Sequence, residues 1–150
     1  MGAACEWTGP STGLIPPGPR DPGSTPVSGV DRLLAEARRQ LERVDPHQAK
    51  QLHDEGALLV DIRPAAQRQE FGDIPGALII ERNNLEWRLD PEGSHRLPEA
   101  DDVERPVIVV CQEGYASSLA ALSLRHLGLS RATDLDGGFK AWKDAGYPTT

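Results

Sequence analysis

Residues 107–127 read VIVVCQEGYASSLAALSLRHL, and their reading decides the fold. Val107 to Val110 form an apolar, β-branched run behind Pro106. Such a run predicts a strand buried on both faces, as in parallel sheets. Cys111 stands at its end, and Gln112, Glu113, Gly114, Tyr115 and Ala116 follow as a short loop. From Ser117 and Ser118 onward, Leu119, Leu122, Leu124 and Leu127 recur at helical spacing, with Gly128 as the stop. A strand, a Gly-bearing loop and a helix aim backbone N–H groups and the positive end of the helix dipole at whatever sits over the loop. A thiolate is favoured there, which makes Cys111 a nucleophile among anion-holding donors. The plainer alternative is a small buried hydrophobe at a strand end, which free cysteines often are.

Outward from this stretch, strand and helix patterns alternate. Ala57–Ile62 and Leu78–Ile80 are apolar runs that predict further strands, and Ala132–Leu135 predicts a last one. Pro64–Phe71, 83–90 and Phe139–Lys143 predict short helices between and after them, with Leu85 and Leu89 facing inward. Ahead of the first strand, Asp45-Pro46 starts a helix that stops at Gly56. Residues 29–44 form an amphipathic helix on Val30, Leu33, Leu34, Ala37, Leu41 and Val44, with Asp31 near its start. Residues 1–28 are rich in Pro, Gly and Ser and predict a disordered arm. The whole is an α/β domain with a central parallel sheet covered by helices on both faces. Ligands in such sheets bind at the C-terminal ends of the strands, where Cys111 stands.

Composition narrows the function. The net charge of −7 argues against nucleic acid and against an anionic membrane surface. There is no apolar run of about 18 residues to span a membrane. The first residues carry no basic-then-apolar signal, and Glu6 stands where a myristoylation signal wants Ser or Thr. Two cysteines, Cys5 and Cys111, predict no structural disulfide and a reducing, cytoplasmic setting. No Cys/His spacing suits zinc, so neither a metal nor a cofactor is expected. His47 and His53 read as surface residues, and His95 and His126 carry no pattern. Oligomeric state is not legible.

Three segments in order carry a resemblance. They are Leu59-Val60-Asp61-Ile62-Arg63 with Gly72-Asp73-Ile74-Pro75-Gly76-Ala77, then Val109 to Ser117, then Leu135-Asp136-Gly137-Gly138-Phe139-Lys140-Ala141-Trp142. Together they resemble the rhodanese-like domain family from about Asp45 to Pro148, which makes 45–150 the domain proper. The resemblance implies sulfane-sulfur transfer through a persulfide on Cys111. The donor would be a small-molecule or protein persulfide, and the acceptor a thiol or cyanide. Gln112, Glu113, Gly114, Tyr115, Ala116 and Ser117 would form the anion cradle, with Ser117 capping the helix or adding a hydroxyl donor.

The chain also departs from that family. Its loop is commonly Cys-Arg-x-Gly-x-Arg, and here Gln112 and Ala116 stand at the two Arg positions beside an acidic Glu113. Losing a charge-assisted bond costs roughly 1.5–3 kcal/mol, so thiosulfate is expected to be a poor donor. Arg63 or Arg68 can compensate from the neighbouring strand end, or Arg63 can simply pair with an acid at the surface. Asp73 replaces a His and reads as a surface variation. Tyr115 lines an acceptor pocket or packs against Trp87 or the 83–93 loop. A phosphatase would need Arg at position 117, where Ser117 stands. The competing class is a rhodanese-like interaction module without turnover. A redox sensor pairing Cys111 with Cys5 is a third reading.

Overall fold

A computed structural model describes residues 28–150; residues 1–27 of the expected arm, Cys5 among them, lie outside the described residues. The elements in order are α1 (Gly29–Arg39), α2 (Pro46–Asp54), β1 (Leu58–Asp61), α3 (Ala65–Phe71), β2 (Leu78–Ile79), α4 (Leu85–Leu89) after a 3₁₀ turn at Arg82–Asn84, β3 (Val107–Val110), α5 (Ala116–His126), β4 (Ala132–Asp134) and α6 (Gly138–Asp144). The strands pair in the order β2-β1-β3-β4, all parallel. Both ends of α2 match the expectation. The Asp45 carboxylate caps the Gln48 amide, Pro46 occupies the first turn, and Gly56 leaves it at φ +113°.

The predicted helix over 29–44 is shorter. It opens on a capping box between Ser28 and Asp31 and ends at Arg39. Leu41 leaves the helix to enter the core, and Val44 pairs as a single bridge with Leu135 beside β4. A helix continued to Val44 could not offer its backbone to that bridge, and the sheet edge wins.

Alternation along β3 builds two cores and aims the cysteine. Val107, Val109 and Cys111 face one side with Leu85, Leu89, Ala120, Ala121 and Leu124. Ile108 and Val110 face the other with Ala49, Phe139 and Trp142. The parity of the strand therefore carries the Cys111 side chain toward the start of α5. Along α5 the deeply buried residues are Ser117, Ser118, Ala120, Ala121 and Leu124, while Leu119, Leu122 and Leu127 are half-buried. Small residues let the helix sit close on the sheet; of the four leucines at helical spacing Leu124 packs inward and the other three flank it.

Candidate active site

The Cys111 side chain lies at the C-terminal end of β3 and is 7% exposed. Its Sγ accepts hydrogen bonds from the backbone N–H of Gly114 at 3.1 Å and of Ser117 at 3.4 Å. Both amides belong to the loop and to the first turn of α5, whose free N–H groups have no partner within the helix. The sulfur is thus both part of one core and cradled by main-chain donors.

The loop is held in this shape through its carbonyls. The Phe139 N–H donates to the Cys111 carbonyl at 2.8 Å, and the Lys140 N–H to the Gln112 carbonyl at 3.0 Å. The Gly114 carbonyl accepts from Arg38 Nη2 at 2.8 Å and from Arg43 Nη2 at 2.9 Å. Gly114 has φ +89°, and a Cβ there would come within 2.7 Å of the Gly137 nitrogen and 3.2 Å of Arg43 Nη2. Only glycine suits both the backbone angle and the close approach of the α6 turn.

A buried carboxylate ties the loop to the N-terminal segment. Asp134, at the end of β4, pairs with Arg43 through Nε at 3.0 Å and Nη2 at 3.1 Å. It also accepts from the hydroxyls of Ser117 at 2.7 Å and Ser118 at 2.8 Å. Asp136 takes Arg43 Nη1 at 3.0 Å. Burial disfavours the charged guanidinium of Arg43, yet Asp134, with Asp136 and the Cys111 sulfur, outweighs it and raises its pKa above the ordinary value. Arg38 bonds the Ser118 hydroxyl at 3.1 Å and lies over the Tyr115 ring at 5.7 Å.

The residues singled out in the sequence are distributed unevenly around this centre. Gly114 and Ser117 supply the amide donors, and Glu113, Tyr115 and Ala116 are exposed on the loop. Ser117 is not a cap: its hydroxyl goes to Asp134, and α5 begins without a side-chain cap. Tyr115 is stacked by Arg38, while Trp87 is 63% exposed. Arg63 is not at the surface. It is fully buried, doubly bonded to Asp61, and donates to the Gly72 carbonyl at 2.7 Å and to Gln112 Oε1 at 2.9 Å. Its guanidinium stacks on Phe139 at 4.0 Å. It therefore sits beneath the loop, engaged with protein groups. Arg68 turns to the Arg63 carbonyl and to Asp73, 3.9 Å away. Asp73 is half-buried, and its Oδ1 is shielded from solvent without a hydrogen-bond partner, so it is more than a surface variation.

Sequence reasoning missed Arg38, Arg43, Ser118, Asp134 and Asp136. The partners of the two arginines lie 71 to 93 residues away along the chain, beyond any local pattern. The acid in the last strand was the one available signal, since a buried carboxylate requires a partner. A cleft of about 310 Å³ flanks the loop, with Glu113, Tyr115 and Lys140 among its walls. A larger one, about 520 Å³, opens at the opposite ends of the strands around Gly56, Pro106 and Arg131, away from the sulfur. Among the described residues, no group of His, Cys, Asp and Glu is arranged to hold a metal, and no helix is long and apolar enough to cross a membrane.

The thiosulfate sulfurtransferase GlpE of Pseudomonas savastanoi is 33% identical over 109 residues, covering 73% of this chain and 92% of that protein. A protein of unknown function from Rhodopseudomonas palustris, described as a possible tyrosine phosphatase, superposes with TM-score 0.74 at 32% identity. It covers 85% of this chain and 98% of its own, and so reaches ahead of Asp45. A thiosulfate sulfurtransferase from Pseudomonas aeruginosa shares the fold at TM-score 0.59 and 24% identity, over 73% of this chain and 19% of its own. The family model for the rhodanese-like domain matches residues 45–145, and this chain is a member of that family.

Proposed function

We propose that the protein is a sulfurtransferase with Cys111 as its nucleophile. The observation that carries this is the sulfur held by the Gly114 and Ser117 amides at the mouth of the sheet. In the first half-reaction the Cys111 thiolate attacks the outer sulfur of a donor R–S–SH. A new S–S bond forms, the donor's own S–S bond breaks, R–S⁻ leaves, and the transferred sulfur keeps its proton. In the second, an acceptor thiolate attacks that outer sulfur and Cys111 departs as thiolate. Electron pairs only change partners, so no external oxidant or metal enters. The two amides stabilise the anionic sulfur whenever Cys111 carries charge. Such a cycle needs a free thiol, which a reducing, cytoplasmic setting preserves.

The relatives' names introduce thiosulfate as a donor to test. Among the described residues the arginines near the loop are already engaged, Arg63 by Asp61, and Arg38 and Arg43 by the Gly114 carbonyl. Gln112 points its oxygen at Arg63, Ala116 is uncharged, and Glu113 is exposed. A dianion meets one carboxylate and no spare guanidinium side chain from the loop, so a persulfide of low charge is the better donor. The exposed Ala116 offers a direct check. Ala116→Arg is expected to raise kcat/KM for thiosulfate about tenfold, the equivalent of one charge-assisted hydrogen bond, while a neutral persulfide gains far less. Equal gains for both donors would remove the charge explanation. Phosphatase chemistry is disfavoured on the same ground, since the position that would carry its arginine is Ser117, hydrogen-bonded to a carboxylate.

The test of the function is intact mass after incubation with glutathione persulfide. The protein should gain one sulfur atom, lose it to added thiol, and show no gain at this site in Cys111→Ala. A chain that gains nothing from glutathione persulfide or thiosulfate is an interaction module instead.

A further inference from the structure

We propose that Arg38 and Arg43 are positioning residues of the Cys111 loop, so that the segment ahead of the family-matched region completes the active site. This rests on the sulfurtransferase reading. Both guanidiniums grip one oxygen, the Gly114 carbonyl, whose two lone pairs can take two donors. The N–H of the same residue is the nearer donor to the sulfur. Arg43 reaches the second donor as well, because its partner Asp134 holds the Ser117 hydroxyl while the Ser117 N–H faces Sγ. One network thus orients both amides that hold the thiolate. It also brings positive charge to a loop whose own side chains have none, and the Cys111 sulfur is among the groups that raise the Arg43 pKa. The Cys111 and Gln112 carbonyls are tied by α6 amides and the Tyr115 carbonyl by the Ser118 N–H of α5, so Gly114 is the point at which the loop backbone meets the N-terminal segment. Arg38 comes from the last turn of α1, and Arg43 from the stretch between α1 and the Val44 bridge. Neither lies within residues 45–145.

The test uses the full chain with Cys5→Ser, so that Cys111 is its one thiol. Arg38→Gln is expected to slow alkylation of Cys111 by iodoacetamide about tenfold, the loss of one charge-assisted bond. It should lower kcat with glutathione persulfide by a similar factor and leave KM within about twofold, with the thermal unfolding midpoint unchanged. Arg38→Lys, which keeps a charged donor, should recover part of both losses. Wild-type alkylation and turnover in Arg38→Gln would overturn the proposal. Should Arg38→Gln not fold, Arg43→Lys is read in its place. There, slowed alkylation in a folded protein supports the proposal and an unchanged rate overturns it. A wild-type chain that takes up no sulfur defeats the sulfurtransferase reading alone, because the alkylation rates still decide whether the arginines govern the thiol.

Discussion

Arg63→Ala is expected to lower the unfolding free energy by about 3–5 kcal/mol, the cost of leaving one member of a buried ion pair uncompensated. Arg63 and Asp61 are both essentially inaccessible to solvent, and the pair is bidentate. Removing the guanidinium strands the Asp61 carboxylate at the end of the central β1 strand. It also frees the Gly72 carbonyl and Gln112 Oε1 and uncovers the Phe139 ring. A paired replacement by apolar residues of similar volume, Asp61→Leu with Arg63→Met, should be far less damaging than the single change, because no charge is left buried. Urea denaturation of the three variants measures this. A loss below about 1 kcal/mol in Arg63→Ala, the range of a surface pair, would mean that water reaches the carboxylate.

Cys111→Ser is expected to reduce sulfur transfer by about three orders of magnitude or more, since nucleophile replacements in covalent enzymes cost at least that. The hydroxyl occupies nearly the same space and meets the same Gly114 and Ser117 amides, so the loop and the fold should be preserved. A serine hydroxyl is not ionised near neutrality and cannot form a persulfide. The site would keep its donors and lose its chemistry. Steady-state transfer from glutathione persulfide, with the unfolding midpoint as control, is the measurement. Turnover within about tenfold of wild type would place the nucleophile elsewhere.

Much of the centre was legible because it is local. Strand, loop and helix follow one another within residues 107–126, and the N–H groups that meet the sulfur come from the same loop and the first turn of the helix. Chain periodicity alone places such a cysteine at a strand end. The order of elements was legible for the same reason, since each strand and helix advertises itself by spacing. Less of the surrounding network could be read. Ser117 in a helix start reads as a cap, and only the arrival of Asp134 from β4 gives its hydroxyl another partner. Arg63 beside Asp61 suggests an ion pair, but nothing in the sequence says that both are buried under the loop. The end of α1 is not legible, because Leu41 and Val44 continue a helical period while serving the core and a sheet bridge.

By itself, then, the sequence determined the α/β architecture, the parallel strands and the thiol at a strand mouth, all of which depend on neighbours within a few residues. Tertiary structure alone decided where the positive charge comes from. The loop lacks the arginines its family usually carries, and two others arrive from more than 70 residues away to grip its backbone rather than line its mouth. A residue's partners across such distances depend on how helices and strands dock. Packing sets that docking over the whole core, and no local pattern encodes it.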